Sequence, residues 1–382
     1  MPKEKIREIK IVSKELGKDV ELAYLTDQLK EERERNITID TTQIFFKIRK
    51  RNYVIIDTPG HTEFIKNMIT GTTLAEVAIL IVDVQEGIME QTRRHAYLIS
   101  MLGLNRVIVL FNKMDLVDYK KERFNKVKLE LLRFLGHLKI EPLFFIPVSA
   151  KEGINICKKS RKMNWYKGLT LLKALDLLNL DTNSIKRPLR FPVQDVYEIE
   201  NEKIIVGRIA SGVIKQGQKV VLSLAFKEAT IKAIKVFGRH KTVALNGECV
   251  GLILKEPLSI ERGEIIVQKD TSSKATNHFK GSIFWISRKP LQINKTITLR
   301  CATQEVKGIA EKIERRINTS TLEVIEENAN ELKLNEAGVV VFKTKKSIII
   351  EKFSFIEELG RFVIECEYNL RDAGIIIEKP RD

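Results

Sequence analysis

Asp57-Thr58-Pro59-Gly60-His61 follows directly on the β-branched run Tyr53-Val54-Ile55-Ile56, Asn112-Lys113-Met114-Asp115 on Arg106 to Phe111, and Ser149-Ala150-Lys151 comes just after the run Leu143 to Pro147. An apolar run that ends in an aspartate and turns through Pro-Gly reads as a buried strand delivering a carboxylate to a sheet's C-terminal edge. Ligands of open α/β sheets bind at that edge. A Mg²⁺ ion bridging the β- and γ-phosphates of a nucleotide needs such a carboxylate, and Asp57 is the candidate. Gly60 offers a backbone N–H that a γ-phosphate can approach without side-chain obstruction, and His61 lies where a group orienting an attacking water would sit. The second stretch fits a purine. Guanine presents N1–H and an exocyclic amine as paired donors, so a carboxylate accepting both, Asp115, selects guanine over adenine. Asn112 would tie loops together and reach the ring's other edge, the Lys113 stem would cover the base plane, and backbone N–H groups around Ala150 could donate to O6. Any one of these stretches alone reads as an ordinary turn or cap. Three in order, each after an apolar strand, are hard to reach by chance.

The elements that must position these residues alternate. Charged helical patterns cover Pro2 to Gly17 and Val20 to Arg35, followed by a strand from Ile37 to Phe46 that should pair with Tyr53 to Asp57 across a short basic turn. An amphipathic helix runs from beyond His61 to about Thr73. Val77 to Asp83 is apolar throughout, as a strand buried on both faces of a parallel sheet reads. Then come helix Glu90 to Leu102, strand Arg106 to Phe111, helix Tyr119 to His137, strand Leu143 to Pro147 and helix Leu169 to Leu178, the order of a doubly wound α/β domain. After about Arg187 the helical period stops, and short alternating runs punctuated by Gly207, Gly212, Gly217, Gly247 and Gly263 read as a small β-barrel. A polar stretch from Thr271 to Lys280 reads as a linker. Short strands at Ile283 to Ile286, Lys295 to Cys301, Gly338 to Lys343, Ser347 to Phe353 and Arg361 to Glu367 read as a second barrel. The expected domains are residues 1–186, 187–272 and 273–382.

Composition sets bounds. At 382 residues the chain is too long for one small core, and 43% hydrophobic with 30% charged residues is a globular balance. A net charge of +16 invites nucleic acid as a partner, but the basic residues are interspersed with acidic ones. Only Lys47-Ile48-Arg49-Lys50-Arg51 and Lys158-Lys159-Ser160-Arg161-Lys162 cluster, and such runs are commonly solvated loop or strand ends. Nucleic acid is therefore not the expected partner. Cys157, Cys249, Cys301 and Cys366 form no C-x-x-C pair, so buried reduced thiols are expected, and no apolar run is long enough to cross a bilayer. A cytoplasmic protein is expected. His95, His137 and His240 receive no functional role, and Trp165 and Tyr166 read as core or interface aromatics.

Thr38 within Arg35-Asn36-Ile37-Thr38-Ile39, the three stretches above and the two barrels behind them resemble the translational GTPases of the elongation factor Tu type. Within that class the sequence is most similar to the GTPase subunit of two-subunit sulfate adenylyltransferase (ATP sulfurylase), through Ile37 to Phe46, Gln91-Thr92-Arg93-Arg94-His95, Asn112 to Tyr119, and Met163-Asn164-Trp165-Tyr166 with Arg190-Phe191-Pro192-Val193-Gln194. The compact Gly87 to His95 segment fits that subunit better than the elongation factor with an insertion there. The resemblance implies a GTPase domain of the P-loop type followed by two β-barrels, and GTP with Mg²⁺ as cofactors. It also implies a heterodimeric or higher assembly with a smaller catalytic subunit, a nucleotidyltransferase that makes adenylyl sulfate from ATP and sulfate in sulfate assimilation. Carried over by position, Thr38 would sense Mg²⁺ and the γ-phosphate, Asp57 would hold the metal through water, with Thr58, Pro59 and Gly60 beside the phosphates, and His61 would orient water. Asn112, Lys113, Asp115, Ser149, Ala150 and Lys151 would hold guanine.

Two departures stand out. Asn36 occupies a position where the family usually has glycine, which asparagine can replace because it tolerates a left-handed backbone. The phosphate-binding loop G-x-x-x-x-G-K-[ST] appears nowhere; Gly207, Gly212 and Gly217 have the glycine spacing, but Val213 and Gln218 stand where lysine must be. In the family the segment bearing that loop also supplies an inner strand and most of the first helix. Its loss is expected to leave two apolar strands with unpaired backbone groups and a gap between them, and to impair GTP binding by the chain as given. A truncated reading frame, with Met1 an internal methionine, is the expected cause. Two other readings stay open: a translation factor carrying aminoacyl-tRNA, and a nucleotide-free interaction protein.

Overall fold

The computed structural model describes residues 41–48, 51–60, 68, 75–104, 106–178, 187–199, 202–236, 239–271, 275–365 and 371–378. The expected helices before residue 36, the helix after His61, and the candidate residues Thr38 and His61 lie outside them. The chain divides into two units, residues 1–100 with 104–178, and residues 101–103 with 179–382.

In the first unit β1 (Thr42–Ile48) and β2 (Arg51–Asp57) form an antiparallel hairpin whose register pairs Thr42 with Asp57 and Phe46 with Tyr53. The Phe46 and Tyr53 rings stack at 5.2 Å. Arg51, the first residue of β2, donates to the carbonyls of Leu175 and Leu178. Among the described residues the hairpin is its own sheet. A second sheet is parallel and runs β3 (Ala78–Asp83), β4 (Val107–Asn112), β5 (Phe144–Pro147). Helices α1 (Glu90–Met101) and α2 (Lys121–His137) make the crossovers, and α3 (Leu171–Leu177) follows the loop after β5.

The central strand explains the layering, because alternate residues of a strand point to opposite faces. Val107, Val109 and Phe111 of β4 join Leu80 and Val82 of β3 in one core with Ala96 and Ile99 of α1 and Phe124, Val127, Leu131 and Leu135 of α2. Ile108 and Leu110 face the other way, with Ile146, Val148 and Ala174 of α3. For β4 the continuous apolar run therefore means burial on both faces. For β3 it does not: Ile79 is 38% and Ile81 60% exposed, against the expectation of a doubly buried strand. The physical reason is that α3 covers β4 and β5 on this face while no described element covers β3. Val54 and Ile55 of the neighbouring hairpin are also exposed.

The second unit holds two closed antiparallel rings. The first joins β6 (Arg190–Ile199), β7 (Glu202–Arg208), β8 (Lys219–Leu222), β9 (Lys227–Val236), β10 (Cys249–Leu254) and β11 (Ile265–Gln268) in the order β9-β10-β7-β6-β11-β8, and β8 closes on β9. Phe191, Ile205, Ile231, Leu252 and Ile266 fill it. The second joins β12 (Thr276–Phe284), β13 (Thr296–Cys301), β14 (Gln304–Asn318), β15 (Glu336–Ile348), β16 (Arg361–Glu365) and β17 (Arg371–Glu378) in the order β13-β16-β17-β12-β15-β14, closed by β13 on β14. Phe279, Phe342 and Phe362 meet inside it at 5.2 to 5.3 Å between centroids.

Three expectations change here. The polar stretch read as a linker contains the start of β12 at Thr276, because its alternating burial pairs it with β15 and β17 despite its polarity. The strand expected from Ser347 to Phe353 stops at Ile348. Beyond it the backbone of Glu351 and Phe353 bonds to Leu359 and Ile376 outside any ladder, which satisfies the same groups differently. Cys157 and Cys249 are free thiols as expected but exposed, Cys157 in the turns after β5 and Cys249 at the first position of β10, where neither is covered; Cys301 is buried. No helix among the described residues is long and apolar enough to cross a membrane.

Candidate functional site

The C-terminal ends of β4 and β5 meet because the strands are parallel neighbours, with Phe111 opposite Pro147. The chain leaves β4 through Lys113, whose left-handed φ of 63° turns it at once into a 3₁₀ helix, Met114–Val117. Met114 plugs down into the core and its N–H donates to the Val148 carbonyl, 3.2 Å, tying this loop to the one after β5. Asp115 is thereby lifted to the rim. Its carboxylate Oδ1 accepts the Ser149 hydroxyl at 2.6 Å. Asn112 Oδ1 accepts the Ala150 N–H at 3.0 Å. Ser149 is buried and exchanges backbone bonds with Ile154, so the tight turn from Ala150 to Gly153 is fixed, with Ala150 and Lys151 exposed on it. Asn112, Asp115, Ser149 and Ala150, read from sequence as one purine site, are thus joined by direct hydrogen bonds.

The carboxylate spends one oxygen partly on Ser149, which is an alcohol and can rotate, so Asp115 keeps acceptor capacity toward a ligand. Asn112 is held with its oxygen inward by Ala150, which turns its amide donors elsewhere. This geometry sets an anionic acceptor beside an exposed loop on one rim.

Around this rim are residues to which sequence reasoning gave no role in the site. Lys162, in the basic run after β5, donates to Glu152 at 2.7 Å and to the Tyr119 hydroxyl at 3.2 Å, while Trp165 Nε1 donates to the Tyr119 carbonyl at 2.9 Å. Part of that run is therefore paired. Trp165 and Tyr166 are core aromatics: Trp165 lies 5.3 Å from Phe124, and burial pushes the Tyr166 hydroxyl up to about 12. Lys113 reaches the other way, to Asp83 at the end of β3, with Nζ to Oδ2 at 2.6 Å. Burial works against the charged Asp83 carboxyl, but the Lys113 ammonium and the N–H groups of Gln85 and Glu86 outweigh it and hold the group below its ordinary value. A strand-end aspartate directly beside Asn112 in parallel register was the only signal for it.

The phosphate end is described in part. Asp57 closes β2, Thr58 is half-buried, Pro59 is buried and Gly60 is exposed. The Gly60 carbonyl lies 3.0 Å from His95 Nε2 on α1. A carbonyl only accepts, so Nε2 carries the proton. His95, given no role from sequence, therefore helps to hold the Asp57 to Gly60 loop to α1. Burial holds its imidazole below the ordinary value, the bond to Gly60 opposes this, and the charge of Arg94 adds to it.

Comparison with known proteins identifies the family. The family described as the Elongation factor Tu GTP binding domain matches residues 3–181, and the GTP-eEF1A C-terminal domain-like family matches residues 278–377. Sulfate adenylyltransferase subunit 1 from Tolumonas auensis is 35% identical over 365 residues, covering 95% of this chain and 77% of that protein. The same subunit from Bacteroides fragilis is 34% identical, covering 95% and 76%. Elongation factor 1-alpha from Methanothermobacter thermautotrophicus is 37% identical over 361 residues, covering 93% and 87%. A structure of Sup35 complexed with GDP aligns over 94% of this chain and 90% of its own with a TM-score of 0.51 and 20% identity, a likeness of fold. The loops after β4 and β5 accordingly sit on a GTP-binding domain, and the chain belongs to the sulfate adenylyltransferase subunit 1 family of elongation factor Tu-like GTPases.

Proposed function

We propose that this chain is the GTP-binding regulatory subunit of a cytoplasmic sulfate adenylyltransferase, coupling GTP hydrolysis to formation of adenylyl sulfate from ATP and sulfate by a smaller catalytic subunit. The observation that carries the nucleotide half is the hydrogen-bonded set Asn112, Asp115, Ser149 and Ala150 at one sheet edge. The names of the relatives support the other half. The division into residues 1–186, 187–272 and 273–382 belongs to the same reading: one domain binds nucleotide and two barrels relay its state.

Asp115 accepts N1–H and the exocyclic amine of guanine, Asn112 bridges the two loops, Lys113 covers the base, and the N–H groups around Ala150 meet O6, with Lys151 beside them. Toward the phosphates, Asp57 and the Thr38 hydroxyl are hard oxygen donors of the kind Mg²⁺ takes, in the small number it needs when phosphates and waters supply the rest. When bound, Mg²⁺ neutralises charge on the β- and γ-phosphate oxygens. The Gly60 N–H contacts the γ-phosphate and His61 orients the attacking water. The sequence contains no Walker lysine, so affinity for Mg²⁺-GTP is set mainly by the base and is weaker than about micromolar, roughly −8 kcal/mol.

The test is copurification of the full chain with a nucleotidyltransferase of the sulfurylase kind, with pyrophosphate release from ATP and sulfate measured with and without GTP. A stable complex whose rate responds to GTP is expected, and no association contradicts the proposal. The elongation factor 1-alpha relative favours a second reading, carriage of aminoacyl-tRNA. Tight tRNA binding that falls steeply with salt would favour it over the first.

A further inference from the structure

We propose that Asp83 is a positioning residue for nucleotide binding, anchoring the Lys113 ammonium so that the lysine stem is stretched as a fixed wall over the base; this rests on the guanine-nucleotide reading above. A lysine side chain on a rim is ordinarily a flexible four-carbon stem with a mobile charge, and a ligand that packs against it must first immobilise it. Here the immobilisation is already built. Lys113 leaves a left-handed backbone position and its Nζ lies 2.6 Å from Asp83 Oδ2. The lysine side chain is 51% exposed and the aspartate 15%, so the anchor is the buried partner.

The anchor is itself held from three directions. Asp83 Oδ1 accepts the N–H groups of Gln85 and Glu86 at 2.8 and 3.3 Å. The backbone on either side is tied by Val84 N–H to the Asn112 carbonyl, 3.0 Å, and by Gly87 N–H to the Asp83 carbonyl, 2.9 Å. From α2, Arg123 donates through Nε to the Val84 carbonyl and through its guanidinium to the Gln85 carbonyl, at 2.7 and 2.6 Å. One arginine on a helix thus fixes the loop that fixes the aspartate that fixes the lysine. The loop after β3 in this way joins the loops after β4 and β5 in forming the base pocket, although no atom of Asp83 needs to touch the nucleotide.

Asp83→Asn isolates the claim, because an asparagine Oδ1 still accepts from Gln85 and Glu86 while the charge facing Lys113 is gone. Fluorescence titration with N-methylanthraniloyl-GDP is run on the full chain as wild type, D83N, K113A and the double variant, with thermal melts on each. The account expects D83N to weaken binding about three- to fivefold, the range of a partly exposed pair, with an unchanged melting temperature. In the K113A background the same substitution should have less than about a 1.5-fold effect, since only residues acting through one another couple in this way. An unaltered affinity in D83N, or an equal loss in both backgrounds, overturns the proposal. A wild-type chain that shows no preference for guanine over adenine nucleotides overturns the nucleotide reading, and the proposal with it.

Discussion

His95 shows how a residue without a motif can matter as much as one inside a motif. Its imidazole is kept neutral by burial while Nε2 donates to Gly60. A folded value below the usual 6.5 means that, between the two values, the unfolded chain binds a proton that the folded chain refuses. Stability should therefore be fully present above about 6.5 and fall as pH drops from there toward the folded value. The difference in melting temperature between wild type and His95→Gln, followed from pH 7.5 to 5, should shrink on acidification; a constant difference would contradict this. Asn112, Asp115 and Ser149 were legible in the sequence because each stands directly behind an apolar strand. Asp83, Arg123 and His95 were not, because what gives each its role is a partner on a different loop or helix, which only the fold brings near.

At the scale of elements, the alternation of strand and helix from Ala78 to Leu177 was readable because its periods are long and regular. The exposure of one face of β3 was not, since an apolar run has the same composition whether or not a helix lies over it. The two cases separate by mutation. Ile108→Ala removes a side chain packed between β4 and α3 and should cost about 2 to 5 kcal/mol. Ile81→Ala, on the uncovered face, should stay within about 0.5 kcal/mol. Equal losses in urea denaturation would show that something covers β3. Within the second unit the two rings are joined by a buried pair: Arg190 Nε and Nη2 both donate to Glu351 Oε1, at 3.0 and 2.8 Å, and the residues are 3% and 6% exposed. Glu351→Ala leaves a guanidinium buried without its partner and should cost about 3 to 5 kcal/mol, while the double change Arg190→Met with Glu351→Leu should recover most of that. A single variant as stable as wild type would mean that water reaches the arginine.

At the scale of the whole molecule, the first barrel announced itself through glycine-punctuated alternation and the second through a series of short strands, but their strand limits did not. β14 is fifteen residues long and includes Lys307-Gly308-Ile309-Ala310-Glu311-Lys312-Ile313-Glu314-Arg315, whose charges hide the period of two. Its partners β13 and β15 decide the matter, pairing along nearly its full length. Three strand-end loops lie on the unit that matches a GTP-binding domain and two closed rings lie on the other, and the proposed function depends on those loops selecting guanine.

That selection is tested most directly by exchanging the acceptor. Xanthine carries a carbonyl where guanine has its exocyclic amine, so an asparagine at position 115, with one acceptor and one donor, matches xanthine as aspartate matches guanine. Equilibrium dialysis of wild type and Asp115→Asn against millimolar GDP, XDP and ADP should show wild type preferring GDP by more than about a hundredfold, since polar groups left unpaired discriminate by up to roughly 10⁴ to 10⁵, and the variant preferring XDP. Wild type that binds the three alike, or a variant that keeps the wild-type order, would contradict the account.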